Sequence, residues 1–232
     1  MNNTDIHPIQ SMILCDLLFV EEVGFAKLNK KKLGSDQFSF HLRQLTDWKL
    51  IEKTENGKYR LTAKGKEFAN QFDTQAMEIE RQPKIAVLVV GTKRKKGQVK
   101  YLVQQRLKQP YYGYWGFISG KVRWGEKILE TGGRELEEEA GLRGDLELVG
   151  MEHKTDLGTG GEILEDKYFL ILKAEKLEGE LKTDFEAGKN CFKTKAEILM
   201  LPDLFDDVAM ILEKVEGGKF EFEEKEYRVK RY

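Results

Sequence analysis

Residues Gly120 to Leu142 read GKVRWGEKILETGGRELEEEAGL, and the fold and the chemistry both follow from this stretch. Glu135, Glu138 and Glu139 stand at i, i+3 and i+4, so a helix over Ile128 to Glu139 stacks their carboxylates on one face. Like charges that close destabilise a helix unless a cation sits among them. Hard oxygen ligands suit Mg²⁺ or Mn²⁺, and such an ion neutralises a diphosphate and lowers the pKa of an attacking water. The other reading is an ordinary charged surface helix with solvated glutamates. Arg134 is placed to hold a glutamate in a bidentate fork. Gly120 lets the backbone approach a metal, with its carbonyl as a ligand, and Gly141 reads as a left-handed helix C-cap.

The spacing is Gly120, five residues, Glu126, seven residues, Arg134-Glu135, an apolar residue, any residue, Glu138-Glu139, any residue, Gly141, and an apolar residue. Seven fixed residue types at ~5–10% usage each match by chance on the order of once in 10⁸ starting points, somewhat more often in a Glu-rich chain. The pattern resembles the box of the Nudix hydrolases at every defining position, and the resemblance extends from about Ile85 to Leu212. It implies an α/β/α sandwich with a mixed sheet, and cleavage of the diphosphate linkage in a nucleoside diphosphate derivative. It implies metal binding by Glu135, Glu138 and Glu139, with Glu126 and Arg134 as orienting residues. Two departures stand out. Ile118-Ser119 replaces the usual Pro-Gly before the first box glycine. Thr131-Gly132-Gly133 replaces a small apolar stretch, and each interior glycine costs about 1 kcal/mol relative to Ala unless it permits close packing or a bend.

The general base is open: Glu135 is the first choice, with Glu162 and Glu165, in the Gly-rich segment Leu157 to Glu165, as alternatives. Upstream, Tyr111-Tyr112-Gly113-Tyr114-Trp115 offers Tyr112 and Trp115 as rings for a base to stack on, unless the run packs in the sheet core. Gln105 and Arg106 are in range of a phosphate, although Arg106 also suits a surface ion pair.

The rest of the domain alternates strands and helices: strands at Ile85–Val90, Val99–Gln105, Trp115–Ile118, Leu146–His153 and Lys167–Leu172, and short helices at Ala196–Leu201 and Asp207–Lys214. That alternation marks an α/β layered domain. Asn70 to Pro83 is polar and reads as a linker or linking helix, which divides the chain into residues 1–78 and 79–232.

The first part has helical apolar spacing at Ile13, Leu14, Leu17 and Leu18, a basic piece at Phe25–Lys31, and a helix capped by Ser35. A hairpin through Asn56-Gly57 and a closing helix, Lys64–Phe72, follow. This order, with FHLRQLTDWKLIEK and YRLTAKGKEF, resembles small prokaryotic winged helix-turn-helix regulators over about residues 5–75. The resemblance implies DNA contact through His41, Arg43 and Gln44 at bases and Lys58 and Arg60 at phosphates. Basic and acidic residues nearly cancel over residues 1–80, so dimerisation or packing is the alternative role. Lys27, Lys30, Lys31 and Lys32 keep a local basic patch.

The whole chain has 232 residues, a net charge of −1 and 34% charged residues, so nothing pulls it globally toward nucleic acid. The longest apolar run, Ile85–Val90, is too short to span a membrane, and Met1–Asp5 lacks signal-peptide features. Cys15 and Cys191 read as reduced thiols, and the histidines form no zinc pattern. The expected protein is a cytoplasmic Nudix hydrolase, with a second copy of the chain as a candidate partner in a homodimer. Its alternative is a transcriptional regulator whose Nudix domain senses a nucleotide.

Overall fold

The structure, a computed structural model, describes residues 6–232, and the reading of Met1–Asp5 lies outside them. The chain forms two compact units, Met1–Gln82 and Pro83–Tyr232.

The first unit contains α1 (Pro8–Leu18), α2 (Phe25–Leu28), α3 (Ser35–Asp47), the hairpin β1 (Ile51–Lys53) and β2 (Tyr59–Leu61), and α4 (Ala63–Ala69). Val23 bridges to Tyr59 and adds a third rung beside the hairpin. Phe38, Leu42 and Leu45 of α3 meet Ile13, Leu14 and Leu17 of α1 in one core. Trp48 at the end of α3 packs against that core, and its carbonyl accepts from Lys64 Nζ at 3.0 Å. Gly34, without a side-chain bond, occupies the cap position of α3 that the sequence suggested for Ser35. Residues 70–83 are not a plain linker. They begin with a small hairpin, β3 (Phe72–Asp73) and β4 (Glu78–Ile79), whose Phe72 is buried in the core of this unit. The Asp73 carboxylate accepts from the backbone of Gln75 and Ala76 and turns the chain.

Two of the residues expected to read bases face inward. His41 is buried against His7, with ring centroids 4.6 Å apart, and Gln44 accepts from Gln10 on α1 at 2.8 Å. The period explains this: His41 lies three residues after Phe38 and four before Leu45, on the apolar stripe of α3. Arg43 is exposed, and Lys58 is exposed but paired with Glu22 at 2.7 Å. Arg60 pairs with Glu52 at 2.6 Å.

The second unit is built on β5 (Lys84–Lys95), β6 (Gln98–Arg106), β7 (Trp115–Gly116), β8 (Ile118–Lys121), α5 (Ile128–Ala140), β9 (Leu142–Leu157), β10 (Ile163–Gly179), β11 (Asp184–Phe185), β12 (Gly188–Lys193), α6 (Lys195–Leu199), α7 (Val208–Gly217) and β13 (Glu221–Arg228). The main sheet runs β11-β12-β6-β5-β10-β9-β13, with β7 beside β6 and β8 beside β5. It is mixed: β5–β10 and β9–β13 are parallel, the other pairs antiparallel. Alternation along β5 explains the layers. Val87 and Val89 face α5, with Leu136, Ala140 and Leu172; Leu88 and Val90 face α6 and α7, with Ile198, Ile211 and Val215. The unit is therefore an α/β/α sandwich, as the resemblance implies. Glu221–Arg228, too polar to read as a strand from its pattern, gains its place by backbone pairing at the sheet edge.

The two box glycines inside α5 have different roles. A Cβ at Gly132 would lie 2.2 Å from Cδ1 of the buried Leu172, whereas one at Gly133 would lie 3.7 Å from Leu146 Cδ1. Gly132 is where α5 packs directly on the sheet residue Leu172. Gly133→Ala is expected to stabilise the protein by about 0.5–1 kcal/mol through helix propensity. Gly132→Ala is expected to destabilise it by about 1–2 kcal/mol, because overpacking outweighs that gain. Urea unfolding of both variants checks the opposite signs.

Candidate active site

The box is organised around Arg134. Helix α5 starts where the Glu130 carboxylate accepts from Lys127 N at 3.1 Å, and it ends at Gly141 with φ 69°, the expected left-handed cap. About two turns inside, Arg134 forks onto Glu126, Nε to Oε1 at 2.7 Å and Nη2 to Oε2 at 2.9 Å. Glu126 also accepts from Thr131 Oγ1 at 2.8 Å and from Arg123 N at 3.1 Å. Arg134 beside it holds the Glu126 carboxyl at about 2. The same guanidinium donates through Nη1 to Glu135 at 2.5 Å and to Glu138 at 3.3 Å.

Glu135 is buried under β8. A Cβ at Gly120 would fall 1.9 Å from the Glu135 carboxyl carbon, so the backbone passes against this carboxylate only because residue 120 is glycine. Glu138 is exposed and within 3.7 Å of Arg123 Nη2. Glu139 is turned the other way, accepting from Gln104 Nε2 at 2.9 Å. Burial raises the Glu139 carboxyl above its usual range, Gln104 acts against that, and neighbouring Glu135 adds to it.

Among the described residues no three carboxylate, imidazole or thiol side chains converge on a common point. The reason is local: Arg134 draws Glu135 and Glu138 to itself, and Gln104 draws Glu139 away. The donor chemistry nonetheless suits a hard divalent ion. All the ligating atoms on offer are oxygens, one carboxylate is buried, and the Cβ-free backbone of Gly120 leaves a carbonyl approach open.

These residues border a cavity of about 570 Å³. Gly120, Arg134, Glu135, Glu138 and Glu139 line one part of it, and Arg106 lines another. Sheet residues Lys84, Lys154, Asp156, Glu165 and Lys167 also line it, with Asp207 ahead of α7. A larger, shallower groove of about 1040 Å³ lies on the first unit, by Phe19, Glu52 and Arg60, and holds none of the box residues.

The aromatic expectation needs correcting. Tyr112 is exposed and Trp115 packs against the α7-side core, so neither lines the cavity. Trp115 is held by its backbone, donating to Asp203 O and accepting from Phe205 N. The ring of this run that does line the cavity, together with Phe117, Phe169 and Phe205 from elsewhere, is Tyr111, buried, with its hydroxyl donating to Asp156 at 2.6 Å and its phenol raised by burial and by Asp156. A run of four rings in five residues does not reveal which one points inward. Tyr111 has φ 66°, a left-handed backbone that no local pattern announces. Of the alternative bases, Glu162 lies outside the cavity lining, while Glu165 is buried in it and engaged by Lys84, Lys167 and Tyr232.

Sequence reasoning also missed a buried polar row on β9: Glu152, Lys154 and Asp156 alternate onto one face. Lys154 pairs with Asp207 at 2.6 Å, and Glu152 accepts from Tyr227 at 2.9 Å while its other oxygen has no partner among the described residues. Burial, then Asp207, push the Glu152 carboxyl up to about 7. A folded-state value above the unfolded one means this group favours the fold below about pH 4.5 and loses that contribution as pH rises through 7. Glu152→Gln keeps the acceptor for Tyr227 and stays neutral. It is expected to match wild type near pH 5 and exceed it at pH 8 by on the order of 2 kcal/mol. Urea unfolding at the two pH values checks this, and a constant difference would remove Glu152 from the explanation.

Among the described residues no helix is long and apolar enough to cross a membrane. No curated protein sequence matches the chain. Among solved structures, the mutator MutT protein of Bacillus halodurans is 25% identical with a TM-score of 0.54, over 64% of this chain and 93% of that one. The NUDIX domain of Shewanella oneidensis NrtR, solved with ADP ribose, is 19% identical with a TM-score of 0.52, over 65% of this chain and 96% of that one. The NUDIX domain family profile matches residues 82–209, which is more than half of the chain, and with the box at its centre the chain belongs to the Nudix family.

Proposed function

We propose that the second unit is a Mg²⁺- or Mn²⁺-dependent hydrolase that cleaves the diphosphate linkage of a nucleoside diphosphate derivative. The observation that carries this reading is the complete box at the cavity, with Arg134 anchored by Glu126 and bonded to Glu135 and Glu138. Glu135, Glu138, Glu139 and the Gly120 carbonyl would hold the ion, which supplies charge for the diphosphate and an acidified water. Thr131 holds Glu126, Glu126 fixes Arg134, and Arg134 in turn orients Glu135. Glu135 is the base we assign. Glu165, paired with two lysines and held below the usual carboxylate range against the effect of its burial, suits a fixed acceptor better than a proton carrier.

The test is a panel of nucleoside diphosphate derivatives with Mg²⁺, read by ³¹P NMR for phosphate products. At least one is expected to turn over, with EDTA abolishing the reaction. No turnover across the panel, alongside tight nucleotide binding, would move the reading to a nucleotide-sensing regulator.

A second reading concerns the first unit. Arg43, Lys31 and Lys32 are exposed and make no ion pair among the described residues, which favours contact with DNA phosphates around the start and middle of α3. Asp36 and Asp47 share the exposed side of that helix, so the contact would be weak and salt-dependent. A low-salt gel shift with genomic fragments decides it; no shift at micromolar protein removes the reading.

A further inference from the structure

The cavity carries more positive charge along one wall than the protein itself neutralises. Lys84 and Lys167 are directly opposite on β5 and β10, where like charges repel. They share a single oxygen, Glu165 Oε2, at 2.5 and 3.4 Å. The other oxygen of Glu165 accepts from Tyr232 at 2.9 Å. Each ammonium has three donors, and Lys167 also lies over the rings of Tyr111 and Phe169, 5.6 and 5.8 Å from their centroids, which offer no anionic oxygen. Arg106 lines the same cavity and donates to the carbonyls of Pro110 and Gln109, but it has no carboxylate partner within ion-pair distance among the described residues. Lys108, also on the wall, is exposed and makes no ion pair there.

Four cations therefore face two carboxylates, Glu165 between Lys84 and Lys167 and Glu139 on the box side, whose charge acts on Arg106 and Lys108. Deeper, Lys154 is matched by Asp207 at 2.6 Å and Asp156 at 3.9 Å and adds nothing to the surplus. Asp156 also acts on Lys167, yet burial still pulls that ammonium below the usual lysine range. Arg106 feels the charges of both Glu139 and Glu165, so the basic wall runs on from the box.

Resting on the hydrolase reading, we propose that Lys84, Lys167, Arg106 and Lys108 form a second anion subsite, which takes a phosphate monoester of the substrate in addition to the diphosphate held at the box. A phosphate monoester carries about −1.5 to −2 charge and three acceptor oxygens, enough to bridge several cations. A sugar hydroxyl would leave the surplus in place, and a single carboxylate would match only half of it.

The test is calorimetric binding to the full chain in EDTA at fixed salt, with two matched probe pairs: coenzyme A against 3′-dephospho-coenzyme A, and NADP⁺ against NAD⁺. Each pair differs by one phosphate monoester. In at least one pair the phosphorylated member is expected to bind about tenfold tighter. Lys84→Gln and Lys167→Gln should remove that preference, Glu165→Gln should enlarge it, and Lys195→Gln, outside the cavity, should leave it unchanged. If Lys167→Gln does not fold, the more exposed Lys84→Gln carries the same reading. Equal affinity or no binding in both pairs overturns the subsite, as does a Lys195→Gln loss equal to that of Lys84→Gln, or a weaker preference in Glu165→Gln. EDTA stops turnover, so the two readings fail separately. Turnover on the panel without a phosphate preference removes the subsite alone, and a preference without turnover removes the hydrolase alone.

Discussion

Glu138→Gln is expected to lower kcat by about two to three orders of magnitude while leaving the fold intact. Losing one charged ligand from a divalent site removes several kcal/mol of transition-state charge stabilisation, and each decade in rate is about 1.4 kcal/mol. The side chain is half exposed, so the stability change should stay within about 0.5 kcal/mol. From the sequence alone, relief of repulsion among three glutamates argues for a slightly more stable apo protein. The structure removes that argument, because Arg134 and Arg123 already face Glu138, and the lost ion pairs offset the relieved repulsion. Steady-state kinetics with saturating Mg²⁺, beside a thermal melt, make the check. Wild-type turnover would remove Glu138 from the metal site, and a large drop in Tm would make its role structural.

Gly65→Ala should have the largest effect on the first unit. The words YRLTAKG place a threonine three residues before a glycine, and the structure shows why the pair is needed. Thr62 caps α4 by accepting from Gly65 N at 3.0 Å, and its hydroxyl donates to Lys49 O at 2.6 Å. Gly65 then rides directly on the turn after α3: a Cβ there would lie 1.7 Å from the Leu50 carbonyl oxygen. That oxygen is itself bonded to Thr62 N at 3.1 Å and belongs to backbone, so no rotamer change relieves the clash. The cost should be about 3 kcal/mol or more, a large share of the roughly 4–12 kcal/mol available to a unit of this size. Urea unfolding followed by resolved amide signals of the first unit measures it, and an unchanged midpoint would show that α4 can shift freely.

Both predictions rest on features that differ in how far local sequence announces them. Helix α5, its left-handed cap at Gly141, and the shared face of Glu135, Glu138 and Glu139 follow from a period of 3.6 and from glycine chemistry. These are properties of neighbours in the chain, and a sequence displays them directly. The layered α/β class and the strand–helix order were legible for the same reason. The hairpin β3–β4 was missed because its strands are two residues long and its turn is made by one Asp carboxylate, so composition alone looked like a linker. His41 and Gln44 were misplaced because a list of polar residues on a helix does not weigh which stripe the core claims.

The sequence by itself determined the family, the box and the types of atom it offers to a metal, since these depend on residue identity at fixed spacing. Tertiary structure alone decided what surrounds them. Lys84 and Arg106 lie on the hairpin β5–β6, Glu165 and Lys167 on β10 far along the chain, and they share a wall because β5 runs parallel to β10 in the register Lys84↔Lys167, with β6 on its other side. Tyr111 rather than Tyr112 enters the cavity because of one left-handed residue after Pro110. Glu152 is buried next to Asp207 because β9 is covered by α7 and β13, an arrangement set by strand pairing and packing over long sequence separation. Such contacts arise from burying apolar surface on both faces of a sheet, and no window of neighbouring residues contains that information.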